Sequence, residues 1–574
     1  MKLSLEIRQP DTESLRLPLP GEVGEPQSIE EVFDRFKAVV QLTPRGERVD
    51  IDVEVGAVGE PACCFVALRG ESDRAMARNF YATVETPEVF RQSPHDPARH
   101  WINLATQPVP LAGLQDDGCV TWLVSDTPGN FANCTTQEFD PANGCVAVCS
   151  GDAGARPGFK GMPVRAHYHD VTEASPHRMQ AFLLKTPAGS VAGSRLQLYE
   201  AITERWSTRG TAGLFDAICF GSNYMHLRQN ETGYSDIWIV PGIEYCNKQY
   251  TRDAFWQSMI FPLDIDQQCY DAVYPARYRY AENAALYLLW SMRIANAGGR
   301  VNEERAADAL AWLEMHTQYG SFHPPSARKN KMDFRSWYDL VSFEDDDCIT
   351  YNQGLFAASL KAAEVLGLRP STEFEDACAV YRRLYNSEEG FFPLSRRKNL
   401  LCVDALAGDL LGKILFGESL LPAGHVHAHF ERLRRHAWTD YGFKVTCTPD
   451  GSYAPADAYG AGHMLEEAFQ NPDNAGSYQW GGSWCLYDML CILDAVARGA
   501  DGAMDVAIKR MRIEFRLGGA YHEHINTLTG EPRKPGQGWN ACVPVLWRRL
   551  INAGLADDRS LQALDETLGE IRGS

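Results

Sequence analysis

Hydrophobic and polar residues alternate along the first part of the chain. Short runs such as VDIDVEVGAV, CCFVALRG and CVTWLVSD are separated by glycine, proline, aspartate and asparagine. A period of two is typical of strands that bury one face, and strands separated by such turns favour a sandwich. One helix is expected among them, at IEEVFDRFKAVV (29–40) with Ser28 as its N-cap. We therefore predict an antiparallel β-sandwich domain over residues 1–190.

A helical period of 3.6 replaces this alternation after about residue 193. The amphipathic segment SRLQLYEAITERWSTRG predicts a linker helix region over residues 191–235. From residue 250 onward about twelve apolar stretches have helical spacing, and several begin after Ser, Thr or Asp and end in Gly. Antiparallel helices in this number fit an (α/α)6 toroid over residues 236–574. An irregular α-domain is the alternative, because periodicity reveals helices better than topology.

The composition narrows the classes of partner. The chain has 574 residues, 45% of them hydrophobic, and a formal net charge of −20. It can bury a large core, and its acidity argues against nucleic acid and against an anionic membrane surface, which both require clustered Lys and Arg. We therefore expect neither partner. The oligomeric state is left open.

The N-terminal segment MKLSLEIRQPDTESL lacks the apolar region of a signal peptide, and no run of about 18 apolar residues occurs in the chain. The 16 cysteines are scattered singly, often within apolar helical runs. Reduced thiols are typical of a cytosolic protein. We therefore predict a cytoplasmic location.

Four segments between the predicted helices are rich in Trp, Tyr, Asp and Glu and are too long for simple turns. Loops of this length in a compact domain are usually functional. Aromatic faces beside carboxylates and amides suit a sugar, which offers C–H faces for stacking and hydroxyl groups for hydrogen bonds. The sequence therefore predicts an oligosaccharide or glycoside substrate.

The first of these segments is WIVPGIEYCNKQYTRDAFW, residues 238–256. Asp253 has two interpretations, as a helix cap or as an acceptor for two sugar hydroxyl groups. Trp256 is expected to form a wall beside it.

The second segment, residues 334–356, carries Asp339 beside Trp337 and Tyr338. A general acid must keep its proton near neutral pH, and apolar walls raise a carboxyl pKa, so Asp339 is the candidate acid. The acidic run Glu344–Asp347 is interpreted as a solvated loop, with a calcium site as the alternative.

The third segment, residues 471–490, places Trp480 and Trp484 around two glycines. The alternative for Trp484 is a core residue at a helix start. Both tryptophans are candidates for sugar contacts.

The fourth segment, residues 518–547, carries Glu523 between His522 and His524, with Trp539 later at a helix start. An ionised Glu523 beside imidazoles is the candidate general base. A His-Glu-His sequence is also compatible with a metal site, but no third ligand is evident, so we predict no metal and no other cofactor. The row His425, His427 and His429 is interpreted as part of an ordinary amphipathic helix.

In their order, these segments resemble the catalytic domain of the glycogen-debranching amylo-α-1,6-glucosidases, and more loosely the glucoamylases and trehalases. YTRDAFW (250–256) is similar to the Trp-Gly-Arg-Asp loop of that family. WYDL (337–340), followed by Asn352 and Gln353, is similar to its Trp-Met-Asp-Ala segment and the helix after it. WGGSW (480–484) is similar to its Asn-Gly-Thr-Val-Trp-Pro segment.

The last matching segment is YHEHI (521–525) with Gly538 and Trp539, which is similar to a late Ser-Glu-Ile-Phe segment of the family. The sequence departs from the family at Thr251, where the family has Gly, and in the histidines around Glu523. From the four segments and the resemblance together, we predict sugar contacts by the following residues: Arg252, Asp253, Trp256, Trp337, Asn352, Gln353, Trp480, Trp484, His522 and Trp539.

The resemblance further implies an exo-acting, anomer-inverting glycoside hydrolase that acts on an α-glucoside type of terminal sugar. Asp339 would be the acid and Glu523 the base, with ~6.5–9.5 Å between their carboxyl groups across a pocket lined by Trp256, Trp337, Trp480 and Trp539. An inverting phosphorylase is an alternative, because the two histidines flanking Glu523 suit phosphate. A polysaccharide lyase or epimerase and a non-catalytic sugar-binding module are further alternatives.

Overall fold

The structure is a computed structural model of the whole chain. It describes residues 2–10, 14–20, 22–72, 78–81, 84–85, 101–103, 111–116, 119–125, 136–140, 145–150, 168–187, 190–207, 213–224, 226–229, 237–242, 249–273, 280–325, 335–339, 341–368, 373–460, 474–519, 521–534 and 536–573. The chain forms two compact units. The first comprises Met1–Lys248, Leu517–Ala520 and Leu568–Ser574, and the second comprises Gln249–Arg516 and Tyr521–Thr567.

Two antiparallel sheets form most of the first unit. The strands are β1 (Lys2–Arg8), β2 (Leu15–Leu19), β3 (Gln27–Val32), β4 (Phe36–Arg45), β5 (Arg48–Ala57), β6 (Ala62–Glu71), β7 (Arg78–Tyr81), β8 (Val84–Glu85), β9 (Trp101–Asn103), β10 (Leu111–Asp116), β11 (Cys119–Ser125), β12 (Thr136–Asp140), β13 (Cys145–Cys149), β14 (His169–Val171) and β15 (His177–Pro187). One sheet has the order β2-β1-β6-β13-β12-β9, with β14 on β6, and the other has the order β3-β4-β5-β15-β11-β10-β7-β8.

The two sheets pack face to face, because β10 and β11 of the larger sheet contact β13 of the smaller one. The alternation in sequence fixes which side chains enter this core. Along β4, Phe36, Ala38, Val40 and Leu42 are buried while the residues between them are more exposed. The predicted β-sandwich is confirmed.

The predicted helix over residues 29–40 is wrong. These residues form β3 and β4, an antiparallel pair in which Ser28 lies opposite Gln41. A turn at Phe33–Phe36 joins the strands. The apolar positions of β4 repeat every second residue, and burial of that face in the sandwich outweighs the helical spacing of the preceding residues.

Two helices follow the sheets, in the region predicted as a linker. They are α1 (Val191–Trp206) and α2 (Leu214–Tyr224), and both belong to the first unit. The side chain of Ser190 caps α1 by accepting a hydrogen bond from Gly193 N at 2.9 Å. A short strand pair, β16 (Leu227–Gln229) and β17 (Ile237–Ile239), comes next.

Helices dominate the second unit. Their bounds are α3 (Thr251–Gln257), α4 (Leu263–Ala272), α5 (Glu282–Asn296), α6 (Glu303–Met315), α7 (Thr350–Val365), α8 (Phe374–Arg383), α9 (Ala407–Phe416), α10 (Ala423–His436), α11 (Cys485–Ala497), α12 (Ala503–Arg516), α13 (Val543–Asn552) and α14 (Arg559–Gly573), the last of which ends in the first unit. Short 3-10 helices cover Ser258–Ile260, Asp404–Leu406, Ala456–Tyr459 and Trp539–Cys542.

Every second helix of this unit belongs to a closed inner ring. Helix α3 packs on α5, α5 on α7, α7 on α9, α9 on α11 and α11 on α13. The 3-10 turn Trp539–Cys542, which leads into α13, contacts α3 and closes the ring. At Gly408 a Cβ atom would lie 2.1 Å from the carbonyl carbon of Gly354, so α7 and α9 touch through their backbones.

The remaining helices lie outside this ring. Helices α4 and α6 pack on α5, α8 packs on α7, and α10 and α12 pack on α11. The inner helices are buried all round, as α5 and α11 illustrate, whereas α8 buries one stripe formed by Ala377, Cys378, Val380 and Tyr381. This double layer confirms the predicted (α/α)6 toroid.

Short two-residue strands decorate the loops of this toroid. They are β18 (Thr317–Gln318) with β19 (Ser321–Phe322), β20 (Leu401–Cys402) with β23 (Thr446–Cys447), β21 (Trp438–Thr439) with β22 (Gly442–Phe443), and β24 (His524–Ile525) with β25 (Pro532–Arg533). Among the described residues, each helix is too short or too polar to cross a bilayer.

Candidate active site

Asp339 lies in the loop that precedes the inner helix α7. The residues before it are fixed by Asp404, a completely buried carboxylate that accepts hydrogen bonds from Trp337 Nε1 at 2.7 Å and from the Tyr338 hydroxyl at 2.8 Å. The sequence analysis did not identify Asp404. Asp404 therefore anchors both side chains that were predicted to form apolar walls beside Asp339.

The carboxyl group of Asp339 has a specific donor. The hydroxyl group of Tyr478 donates a hydrogen bond of 2.9 Å to Asp339 Oδ2. Burial raises the pKa of Asp339 to about 6, although Arg252 and the Tyr478 hydrogen bond lower it. The negative charge of Glu523 contributes to this raised pKa. Asp339 can therefore hold a proton close to neutral pH.

Glu523 is buried at the start of the β24–β25 hairpin, where its backbone N–H donates to the carbonyl of Lys534 at 2.9 Å. Its Oε2 atom lies 3.0 Å from Lys534 Nζ and 3.7 Å from His524 Nδ1. Burial alone would raise the pKa of Glu523, but the contacts with His524 and Lys534 lower it to about 2. Glu523 is therefore ionised across the neutral range.

Arg252 and Asp253 open the inner helix α3, as the sequence motif predicts. The Arg252 guanidinium lies 5.2 Å from the ring centroid of Tyr280 and 5.6 Å from that of Trp539. Its Nη2 atom is 3.6 Å from Asp253 Oδ1, and its Nη1 atom is 3.5 Å from Glu282 Oε1. Two aromatic rings and two carboxyl groups thus surround one cation.

Glu282 is a member of this cluster that the sequence analysis missed. It is the first residue of α5 and is completely buried. Burial raises its pKa to about 7, and the charges of Asp339 and Asp253 contribute in the same direction. A carboxylate in the sequence YAENAALYLLW reads as an ordinary first-turn acid. The signal that could have identified Glu282 is an acidic residue at the start of a helix that is otherwise mostly apolar.

Three tryptophans predicted to contact sugar are buried. Trp256, Trp337 and Trp484 are each at most 2% exposed. The Trp484 ring centroid is 5.1 Å from that of Trp337 and 5.5 Å from that of Trp539, and its indole N–H donates to the Tyr478 carbonyl. A sugar contact by Trp256, Trp337 or Trp484 stays a prediction.

The other two tryptophans are less enclosed. Trp480 is half-buried and donates to the carbonyl of Ala454, and Trp539 is 6% exposed and stacks against Arg252. A sugar contact by either one stays a prediction.

The amides at the start of α7 are structural. Gln353 is completely buried, and its Nε2 atom donates to the carbonyls of Gly320 and Ala377, while its Oε1 atom accepts from Phe322 N. Asn352 is 1% exposed and donates to the Arg335 carbonyl. These hydrogen bonds hold the loops around α7, and the sugar contacts predicted for Asn352 and Gln353 stay predictions.

The two histidines beside Glu523 differ in position. The ring of His524 is buried, lies near Glu523 and accepts or donates a hydrogen bond of 3.0 Å with Ser477. His522 is half-buried, and its proposed sugar contact stays a prediction.

The acidic run after Asp339 is tied down by neighbouring donors. Asp345 pairs with Arg335, Asp346 pairs with Arg397, and Asp347 accepts from Ser395 at 2.6 Å. Within the described ranges, no group of three His, Cys, Asp or Glu residues is arranged to hold a metal ion. The run therefore braces the loop through arginines.

The histidine row on α10 is part of an aromatic cluster. His425 stacks on Tyr385 with ring centroids 3.9 Å apart, and His429 Nδ1 accepts a hydrogen bond from Phe392 N. Burial lowers the pKa of His429 to about 3, so its ring is neutral. His427 contacts the carbonyl of Arg498 at 2.8 Å.

No protein-family model matches the sequence, and no curated protein is similar to it. Among solved structures, the chain is similar to the GH63 mannosylglycerate hydrolase from Thermus thermophilus in complex with Tris and D-glycerate. The identity is 12% and the TM-score 0.38, over 54% of this chain and 96% of that one. It is also similar to a family GH92 α-mannosidase from Bacteroides thetaiotaomicron, at 9% identity and a TM-score of 0.28, over 90% of this chain and 70% of that one. Both solved structures are of glycoside hydrolases.

Proposed function

We propose that this chain is an exo-acting glycoside hydrolase that inverts the anomeric configuration of a terminal sugar. The observation that carries the proposal is the opposite proton affinity of two carboxyl groups in one charge cluster. The pKa of Asp339 is raised to about 6, whereas that of Glu523 is lowered to about 2. Paired groups with such divergent pKa values are typical of an acid and a base that act together.

In this reaction Asp339 gives its proton to the glycosidic oxygen as the bond from that oxygen to the anomeric carbon breaks. Glu523 takes a proton from a water molecule, whose oxygen forms the new bond to the anomeric carbon from the opposite face. The products are a sugar of inverted configuration and the free alcohol. Asp339 ends ionised and Glu523 protonated, and exchange with solvent restores both.

The remaining groups support the binding of a sugar. Asp253 and Glu282 are buried acceptors beside Arg252, and sugar hydroxyl groups can donate to such carboxyl oxygens. In this interpretation Asp253 binds the terminal sugar, and the Arg252 cation offsets the negative charge of the cluster. An α-glucoside is the substrate suggested by the sequence resemblance.

An ionised carboxylate in the position of the base favours hydrolysis over phosphorolysis. An inverting phosphorylase uses phosphate itself as the nucleophile, and a buried anion such as Glu523 would repel it. Lys534 has a positive charge and His524 has a ring nitrogen, and both groups suit phosphate. Both side chains, however, lie beside Glu523.

A screen of p-nitrophenyl glycosides and disaccharides, each with and without inorganic phosphate, tests the proposal. We expect release of free sugar from at least one neutral glycoside, at a rate that phosphate does not increase. Formation of a sugar 1-phosphate would make the enzyme a phosphorylase. An unsaturated uronate product would make it a lyase.

A further inference from the structure

Tyr478 contacts Asp339 and two of the residues that lie beside Glu523. Its hydroxyl group donates to Asp339 Oδ2 at 2.9 Å. Lys534 Nζ lies 5.5 Å from the centroid of its ring, and the ring of His524 meets it edge-on with centroids 5.6 Å apart. Lys534 and His524 are the two groups that lower the pKa of Glu523. The side chain of Tyr478 therefore contacts the candidate acid directly. It also contacts Lys534 and His524, the two residues that stabilise the ionised form of the candidate base.

The backbone holds this side chain in an unusual conformation. Tyr478 has a φ of 46°, which is uncommon for a bulky residue and therefore strained. Its carbonyl accepts hydrogen bonds from Gly482 N at 2.9 Å and from Trp484 Nε1 at 3.1 Å. A Cβ atom on Gly482 would lie 2.5 Å from the same carbonyl oxygen. The contacts with Gly482 and Trp484 thus hold the backbone of Tyr478 in its strained conformation.

We propose that Tyr478 is a positioning residue that couples the acid and the base: its hydroxyl group orients Asp339, and its ring holds Lys534 and His524 against Glu523. This inference rests on the proposed function and deepens it. The sequence motifs did not single out Tyr478.

The hydroxyl and the ring have separable effects. A donor to a carboxylate stabilises its ionised form, so loss of the hydroxyl group raises the pKa of Asp339. The other charged groups that act on Asp339 are Arg252 and Lys534, which lower its pKa, and Glu523, which raises it. The charge of Asp339 also acts on Glu282 of α5.

All four of these groups persist when only the hydroxyl is deleted. The substitution Y478F therefore isolates the hydrogen bond, and Y478L removes the ring as well.

Tyr453 is a matched control in the same region. Its hydroxyl shares a hydrogen bond of 2.9 Å with Thr527, and Lys444 Nζ lies 4.6 Å from its ring centroid. Like Y478F, the variant Y453F therefore deletes one hydrogen-bonded hydroxyl group from a ring that contacts a lysine.

The test is the pH profile of kcat/KM for the full chain and the variants Y478F, Y478L and Y453F. We expect Y478F to move the basic limb to higher pH by about 0.5–1 unit, to lower kcat and to leave KM nearly unchanged. We expect Y453F to leave both limbs in place. In Y478L the acidic limb should also move to higher pH, because Lys534 and His524 lose their support beside Glu523.

An unmoved basic limb in Y478F, or an equal shift in Y453F, overturns the role of the hydroxyl group. An unmoved acidic limb in a folded Y478L overturns the role of the ring. Should Y478L fail to fold, as judged by circular dichroism, the ring is tested by Y478M, which also lacks an aromatic face, and an unmoved acidic limb in folded Y478M overturns the role of the ring.

Titration of the Asp339 carboxyl by ¹³C NMR in the wild type and Y478F needs no substrate, and it should give a higher pKa in the variant. If D339N keeps full activity while this shift is found, the proposed function fails and the contact stands. If D339N is inactive and no shift is found, the coupling fails and the proposed function stands.

Discussion

Lys534 holds its ammonium group 3.0 Å from Glu523 Oε2, so the candidate base carries its own counter-charge. Lys534 is a third exposed and has a φ of 51°, a conformation that non-glycine residues rarely adopt. The same lysine faces the ring of Tyr478. The chemistry of Glu523 therefore depends on a residue eleven positions away at the far side of a hairpin.

Removal of this counter-charge should move the acidic limb of activity. Glu523 must be ionised to act, and its pKa of about 2 rises in K534M because an attractive charge is lost. We expect the acidic limb of kcat/KM to move to higher pH by about one unit or more. The matched variant K444M, which removes a lysine above Tyr453, should leave the limb unchanged. If the acidic limb lies at the same pH in K534M and K444M, Lys534 does not control the ionisation of Glu523.

The same pair contributes to stability with a definite sign. A carboxyl group with a lowered pKa stabilises the fold above its unfolded pKa, ~4.3 for Glu, and that stabilisation is lost as pH falls towards about 2. K534M should therefore lower Tm at pH 7 more than at pH 3. Thermal unfolding followed by circular dichroism measures the difference.

Asp404 should be essential for the position of the acid. D404N replaces one of two acceptor oxygens by a donor, which leaves Trp337 Nε1 or the Tyr338 hydroxyl facing an N–H group. An unsatisfied buried donor costs ~1–3 kcal/mol, so Tm should fall. Displacement of Asp339 should lower kcat by ~10–100-fold, with a smaller change in KM.

Asp494 of α11 provides the control for Asp404. It is completely buried, and burial together with the charge of Asp409 raises its pKa well above the usual range, which favours its neutral form. D494N should leave kcat within about twofold of the wild type, since an amide replaces a protonated carboxyl of similar shape. Equal losses in D404N and D494N would mean that Asp404 acts only through general stability.

Glu282 should make the fold sensitive to pH near neutrality. A buried acid with a raised pKa destabilises the folded state as pH rises from its unfolded pKa, ~4.3, to its folded pKa, about 7. E282Q removes this effect. We therefore expect Tm of E282Q relative to the wild type to rise by a few degrees between pH 5 and pH 8. A constant difference over that range would show that Glu282 does not titrate there.

The sequence predicts the architecture correctly wherever the buried positions recur at the period of a strand or of a helix. Alternation along β4 predicts a strand of the sandwich, and apolar runs such as that of α5 predict inner helices. The helix predicted over residues 29–40 failed because its first half has helical spacing, while the sheet buries every second residue of its second half.

The functional site was harder to predict than the fold, because tertiary packing decides which side chains are exposed. Asp339 and Glu523 lie in aromatic loops that the sequence identifies, whereas Gln353 has the same local context and lies in the core. Tyr478 and Glu282 become visible only when separate loops meet. A residue's type in a loop indicates chemistry, but its neighbours decide whether a ligand can reach it.

The two candidate catalytic residues should respond differently to the leaving group. D339N should lower kcat by ~10²–10⁴ for a glycoside with a poor leaving group but far less for a p-nitrophenyl glycoside, whose leaving oxygen needs no proton. E523Q should slow both substrates alike, because each needs an activated water. Initial rates on such a substrate pair measure the contrast. Near-normal turnover by either folded variant on the poor substrate would remove that residue from the mechanism.

In the proposed mechanism Asp339 and Glu523 act on opposite faces of the anomeric carbon. A ¹H NMR time course of the wild-type enzyme with a glycoside of known configuration tests this directly, if spectra are recorded before the product mutarotates. We expect the first sugar signal to have the opposite anomeric configuration to the substrate, with E523Q giving no such signal on the same timescale. A first product of retained configuration would contradict it.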